Sequence, residues 1–197
     1  MLRNKKLFFI LSLLMGLIVI SSNFLVQFPV NRFGLEEILT YGAFSYPISF
    51  LIIDLANRAY GKNIARKIVY LGFFLGVIFT LIISTNFLDI ISIRIAIGSG
   101  TAFLIAQSVD VQIFDKLRKN SKWYVAPLYS SIIASLIDTF LFFSISFFKT
   151  GVPWITLALG DLAVKIFIAL VMLIPFRLLL KNILDISDYN SAINLKN

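Results

Sequence analysis

A chain of 197 residues that is 59% apolar and only 14% charged has too little polar surface for a soluble domain, where charged residues make up about 25%. Mean hydropathy is +0.92, and the chain contains neither Cys nor His, which excludes disulfides, thiol nucleophiles, imidazole bases and the usual zinc and haem ligands. The net charge of +8, in so apolar a chain, reads as cationic loops on the cytoplasmic side of a membrane and not as a nucleic-acid surface.

Six apolar stretches are long enough to cross a hydrocarbon core, which needs about 20 helical residues. The first covers residues 7–28, behind the basic start Arg3, Lys5 and Lys6. Its apolar run is too long for a signal peptide, and no clear small-residue cleavage site follows. The others are expected over 38–56, 68–88, 91–114, 126–148 and 152–180. Pro47 should kink the second and free a carbonyl, and Pro175 should do the same late in the sixth. Short loops make neighbours antiparallel and pack the spans into one bundle, a single domain over 1–181 with a short polar tail over 182–197. Fourteen cations fall on one face of this topology and two, Arg32 and Lys149, on the other. Both termini are therefore expected in the cytoplasm. The sequence predicts an all-α integral membrane protein, a compact bundle of six transmembrane helices in the inner (plasma) membrane.

A charge at bilayer depth costs about 2.5–3.5 kcal/mol on insertion scales, so each one in a span needs a reason. Asp138 lies near the middle of the fifth span, with Ser131 and Ser135 on the same helical face. It is either held neutral or paired by another helix, or it is a ligand or proton site. Asp161 and Lys165 stand at i and i+4, the favourable acid-before-base order, and either neutralise each other or wall a polar site. Gln107 and Asp110 share a face of the fourth span. Arg94 enters that span near its outer end, where snorkelling is the bland account. Asp54 and Arg58 are again i, i+4, an interfacial ion pair in the simplest view. Asn23 interrupts the first span, and helix-to-helix hydrogen bonding accounts for many such residues. Ser12 and Gly16 form a small-xxx-small packing face. The Gly98-x-Gly100 and Gly61-Lys62 pairs lack the context of nucleotide loops. The candidate substrate-binding set is thus Asn23, Gln107, Asp110, Asp138, Asp161 and Lys165, with Asp54 and Arg94 secondary and no metal or cofactor expected.

The ordered set of short motifs resembles one family, the queuosine-precursor or vitamin-uptake transporters. The matching stretches are SSNFLVQFPV at 21–30, GAFSYPISFLIIDLANRAYG at 42–61, ARK at 65–67, SLIDTFLFFSISF at 135–147 and DLAVK at 161–165. Between them fall Arg94, Ala102, Gln107, Asp110, Phe114, Leu117 and Arg118, then Trp123 with Ala126-Pro127. Two departures stand out: a short connection over 86–92, and Leu162 where an aromatic residue often follows the Asp. The resemblance implies import of 7-cyano-7-deazaguanine or its 7-aminomethyl derivative for queuosine synthesis in tRNA. A guanine-like edge presents adjacent N–H donors that a carboxylate accepts through both oxygens. The residues by themselves imply only a small polar solute or a proton site in a six-helix bundle.

The leading expectation is a stand-alone secondary importer whose partners are a deazapurine and membrane lipid, with a homo-oligomer left open. The alternatives are a substrate-binding membrane subunit served by a separate ATPase module, to which the Ser12/Gly16 face would suit, and a transporter of another small polar solute. A membrane-embedded transferase would need clustered metal-binding carboxylates, whereas the Asp residues here are scattered one per span.

Overall fold

The computed structural model describes residues 2–32, 34–84, 87–119 and 121–180, with side chains described from residue 8 onward except at 83 and 84. The expected tail over 182–197 lies outside these residues. The regular elements described are helices: α1 (Leu2–Leu25), α2 (Gly42–Ser45), α3 (Ile48–Tyr60), α4 (Lys62–Phe79), α5 (Ile90–Leu117), α6 (Val125–Phe147) and α7 (Trp154–Leu180). α4 continues as a π-helical turn over Thr80–Ser84. An isolated bridge between Pro29 and Thr40 closes the loop that joins α1 to α2.

Five helices, α1, α4, α5, α6 and α7, are long and apolar enough to cross a membrane. The remaining expected span is a broken element. α3 has 13 residues, about 20 Å at 1.5 Å per residue, short of a hydrocarbon core of about 30 Å. The backbone at Tyr46 and Pro47 nevertheless keeps right-handed helical dihedrals (φ/ψ −60/−40° and −61/−17°). The chain therefore runs on from α2 into α3 with the ladder interrupted: Pro47 has no N–H to give, and Ser49 and Phe50 bond three residues back, to Tyr46 at 2.9 Å and Pro47 at 3.2 Å. Helices α1 and α4 begin earlier than the apolar runs at 7 and 68, since Lys, Arg and Asn at their starts extend a helix without being apolar.

Local chemistry sets the turns. Gly61 adopts φ 79° between α3 and α4, a conformation costly for any side chain. Asp89 caps α5, its carboxylate accepting from the backbone N–H groups of Ile91 at 3.0 Å and Ser92 at 3.2 Å, two of the donors a helix start leaves unpaired. Packing between α1 and α4 is closed by glycines: a Cβ on Gly72 would overlap Met15, and one on Gly76 would meet Val19 at 2.7 Å. Gly16 packs back on Leu75, so the small-residue face of α1 is used inside the chain. Between α5 and α6, Gly98 leaves room for Ser146.

The outside of the bundle is apolar: Phe140, Phe167, Ile174 and Leu178 are each more than 60% exposed. The inside carries the polar groups, including Asn23, Asp54, Gln107, Asp110, Asp138, Asp161 and Lys165, all buried. Lipid on the outside and polar pairing within is the arrangement that a hydrocarbon solvent dictates.

Candidate functional site

The buried polar groups form two clusters at different depths along the bundle. The first gathers around Lys165 of α7. Its ammonium donates to Asp138 Oδ2 at 2.7 Å and Thr139 Oγ1 at 3.2 Å, both on α6. It also pairs with Asp161 one turn earlier in its own helix. The Tyr46 hydroxyl, at the break between α2 and α3, donates to Asp138 Oδ1 at 2.7 Å. Thr139 donates to Asp161 Oδ2 at 2.8 Å. The Lys165 nitrogen also lies 4.9 Å from the centroid of the Tyr46 ring, within cation–π range. The helical spacings explain why these groups meet: Asp161 and Lys165 share a face of α7, and Asp138 and Thr139 lie where α6 packs against it.

A cavity of about 30 Å³ opens beside this group. It is lined by the Tyr46, Asp138, Asp161 and Lys165 side chains and, from α1 and α5, by Asn23 and Ser99. Asn23 ties three elements together: its Nδ2 donates to Thr80 at 3.0 Å, and its Oδ1 accepts from Ser99. Thr80 is the first residue of the π-helical turn, an irregularity that recurs at functional positions. Space of this size holds about two waters. A bicyclic heterocycle does not fit without movement of the helices.

The second cluster lies further along α5. Gln107 and Asp110 follow Ser99 by eight and eleven residues, or about 12 and 16 Å along the helix. Gln107 donates to Ser49 Oγ at 2.8 Å. Asp110 is fully buried and faces Asp54 of α3. Ser130 and Ser131 of α6 donate to Asp54 at 3.4 and 3.5 Å. The interfacial Asp54–Arg58 pair is therefore not formed: Asp54 turns inward, because the packing of α3 against α5 and α6 sets its environment more strongly than its i+4 neighbour. Arg94 belongs to neither cluster. Its guanidinium donates twice to the Ile145 carbonyl, at 3.0 and 2.8 Å, filling an acceptor that the end of α6 leaves open.

Of the residues singled out in the sequence, the cavity joins Asn23, Asp138, Asp161 and Lys165, while Gln107, Asp110 and Asp54 form the separate group. Tyr46, Ser99 and Thr139 complete the first cluster without having been singled out. The only local sign was the aromatic residue directly before Pro47.

Comparison with known proteins decides the family. Residues 40–180 match the family model described as "Putative vitamin uptake transporter". The chain belongs to this family. The "Queuosine precursor transporter" of Escherichia coli (strain K12) is 33% identical over 212 residues, covering 96% of this chain and 95% of its own. The "Probable queuosine precursor transporter" of Haemophilus influenzae is 32% identical, covering 80% and 79%. One of the same description from Bacillus subtilis is 26% identical, covering 89% and 85%. No solved structure matches the chain. Family membership and five long apolar helices together make this a multi-pass inner-membrane protein.

Proposed function

We propose that the chain imports 7-deazaguanine precursors of queuosine, 7-cyano-7-deazaguanine or the 7-aminomethyl derivative, as a secondary transporter that needs no ATPase module. The relatives' descriptions as queuosine precursor transporters support the substrate class. The observation that carries the site is the buried Asp138–Lys165–Asp161 group facing a small cavity. Two carboxyls against one ammonium leave an acceptor in excess, suited to a ligand edge made of N–H donors. Both oxygens of Asp138 are engaged, by Tyr46 and Lys165, whereas the bonds to Asp161 fall on Oδ2. A guanine edge entering the cavity takes over donor positions at these carboxylates, while the Tyr46 ring is placed to cover a face of the heterocycle. A cationic aminomethyl group would be drawn to the same surplus of acceptors.

In this reading the broken α2–α3 element completes six crossings, and both termini face the cytoplasm, as the distribution of loop cations favours. The cavity is too small for a bicyclic ring, so admitting the substrate requires the helices around it to move. Purified protein, alone in liposomes, should take up labelled 7-cyano-7-deazaguanine saturably, with competition by the aminomethyl compound. Uptake that appears only when an ATPase module is added would replace this reading with that of a membrane subunit.

A further inference from the structure

The second cluster has features that substrate recognition does not use. Asp54 and Asp110 are 2% and 0% exposed and come from two different helices. Neither oxygen of Asp110 makes a hydrogen bond of good geometry with a donor among the described residues, although the Ser130 hydroxyl lies close by. Two more acceptors nearby are likewise buried and unpartnered: Asn57 Oδ1 and Gln107 Oε1. Asn57 lies one turn beyond Asp54, and its amide nitrogen is spent on the Val111 carbonyl, the residue after Asp110, at 2.9 Å. Gln107 lies one turn before Asp110. The cluster is therefore short of hydrogens.

Among the described residues, no ammonium or guanidinium is bonded to the pair. α6 presents Ser130 and Ser131 to the pair, and α7 presents Ala169, Met172 and Phe176 around the adjoining space. α4 packs Ala65, Ile68 and Val69 into the core beside α3 and α5, and Lys62 at its start lies by Asp115, not by the Asp54–Asp110 pair. Asp115, further along α5, is bonded to Arg118 at 3.0 Å and lies 4.0 Å from Lys62. Arg58, one turn after Asp54, makes no ion pair with it among the described contacts. Two facing carboxylates without a cation repel each other, and one proton between them turns that repulsion into an O–H···O hydrogen bond.

We propose that Asp54 and Asp110 hold a shared proton whose binding and release drive the import cycle. The inference rests on the transport reading and names its coupling ion. A cavity of about 10 Å³ at Asp54, bordered by Ser131 and Pro127, is about the size of one water and gives the proton a way in. Coupling to the substrate site runs through shared helices. α3 carries Asp54 two turns after the Tyr46–Pro47 break, and α6 carries Ser131 on the same face as Asp138. Loss of the proton forces α3 and α5 apart, and α3 is continuous with the tyrosine that bonds Asp138.

The test uses the whole protein in liposomes with 7-cyano-7-deazaguanine as the probe, beside infrared spectra of the same samples. Wild type should accumulate the probe under an inward proton gradient and exchange it by counterflow without one. Asp54→Asn and Asp110→Asn should keep counterflow while losing gradient-driven accumulation by about tenfold or more. Each Asn imitates the protonated partner, so the pair stays closed and no longer titrates. Accumulation driven by sodium, or undiminished proton-driven accumulation in both variants, would overturn the proposal. If wild type exchanges no deazaguanine, the transport reading fails and the infrared spectra decide the proton site alone. A carboxylic C=O band present in wild type and lost or shifted in both variants supports the shared proton, and a wild-type spectrum without it refutes it.

Discussion

Replacing Asp138 by Asn separates ligand recognition from folding. The side chain keeps its shape but exchanges one acceptor oxygen for an N–H₂ donor. In the structure Asp138 accepts from Tyr46 and from Lys165, each at 2.7 Å. The new amide keeps its oxygen for Lys165 and turns its nitrogen to the Tyr46 oxygen, which can accept. Lys165 still has Asp161, so no buried charge is stranded. A hydrogen bond to a charged group is worth about 1.5–3 kcal/mol, and the variant keeps most of its contacts, so folding stability should fall by about 2 kcal/mol or less. Recognition suffers more. The carboxylate in excess of the ammonium disappears, and with it the second acceptor for a guanine edge. Losing one such contact costs about 1.4 kcal/mol or more, a tenfold or greater loss in affinity. Reconstituted uptake of deazaguanines, read beside a thermal melt in detergent, resolves the two effects. Wild-type affinity in a well-folded Asp138→Asn protein would refute the assignment.

Other substitutions report on other parts of the bundle. Lys165→Met strands two buried carboxyls whose side chains are only 5% and 7% exposed, and should cost about 3–5 kcal/mol; the melt should recover in part when Asp161→Asn is added. Gly72→Val drives a side chain into Met15 and should destabilise by about 1–3 kcal/mol through overpacking, visible as a lower yield of folded protein. Arg94→Leu leaves the Ile145 carbonyl unpaired and should lower stability by about 1–3 kcal/mol, with uptake per folded molecule unchanged. Reporter fusions at residue 197 and beside Lys149 should report opposite sides of the membrane, and the same side for both would sink the six-crossing topology.

What could be read from the sequence follows the range of the forces involved. Hydropathy over 20 residues located α1, α4, α5, α6 and α7, because lipid acts on each span separately. The break at Pro47 was visible because proline acts on its own backbone. Asp161 and Lys165 could be paired from i, i+4 spacing alone. The same rule failed for Asp54 and Arg58, since the rotation of α3 is set by its packing on α5 and α6. Whether Asp138 would meet its donor from α7, and Asp110 its neighbour on α3, depended on interhelical register that no single span contains. Tyr46, Ser99 and Thr139 passed unnoticed because a lone hydroxyl is common in any helix and gains meaning only from what it faces.

Arg94 and Ser146 bond in opposite directions across the same join. The guanidinium of α5 reaches the Ile145 carbonyl of α6, and the Ser146 hydroxyl reaches back to the Arg94 carbonyl at 3.4 Å. Parting or sliding the two helices there would strand the guanidinium and leave the Ile145 carbonyl without its donor at once. The pair is thus stapled at one end, and torque applied to either helix is delivered to both. In the proposed transport reading, α5 and α6 would be the fixed post against which α7 and the α2–α3 element turn.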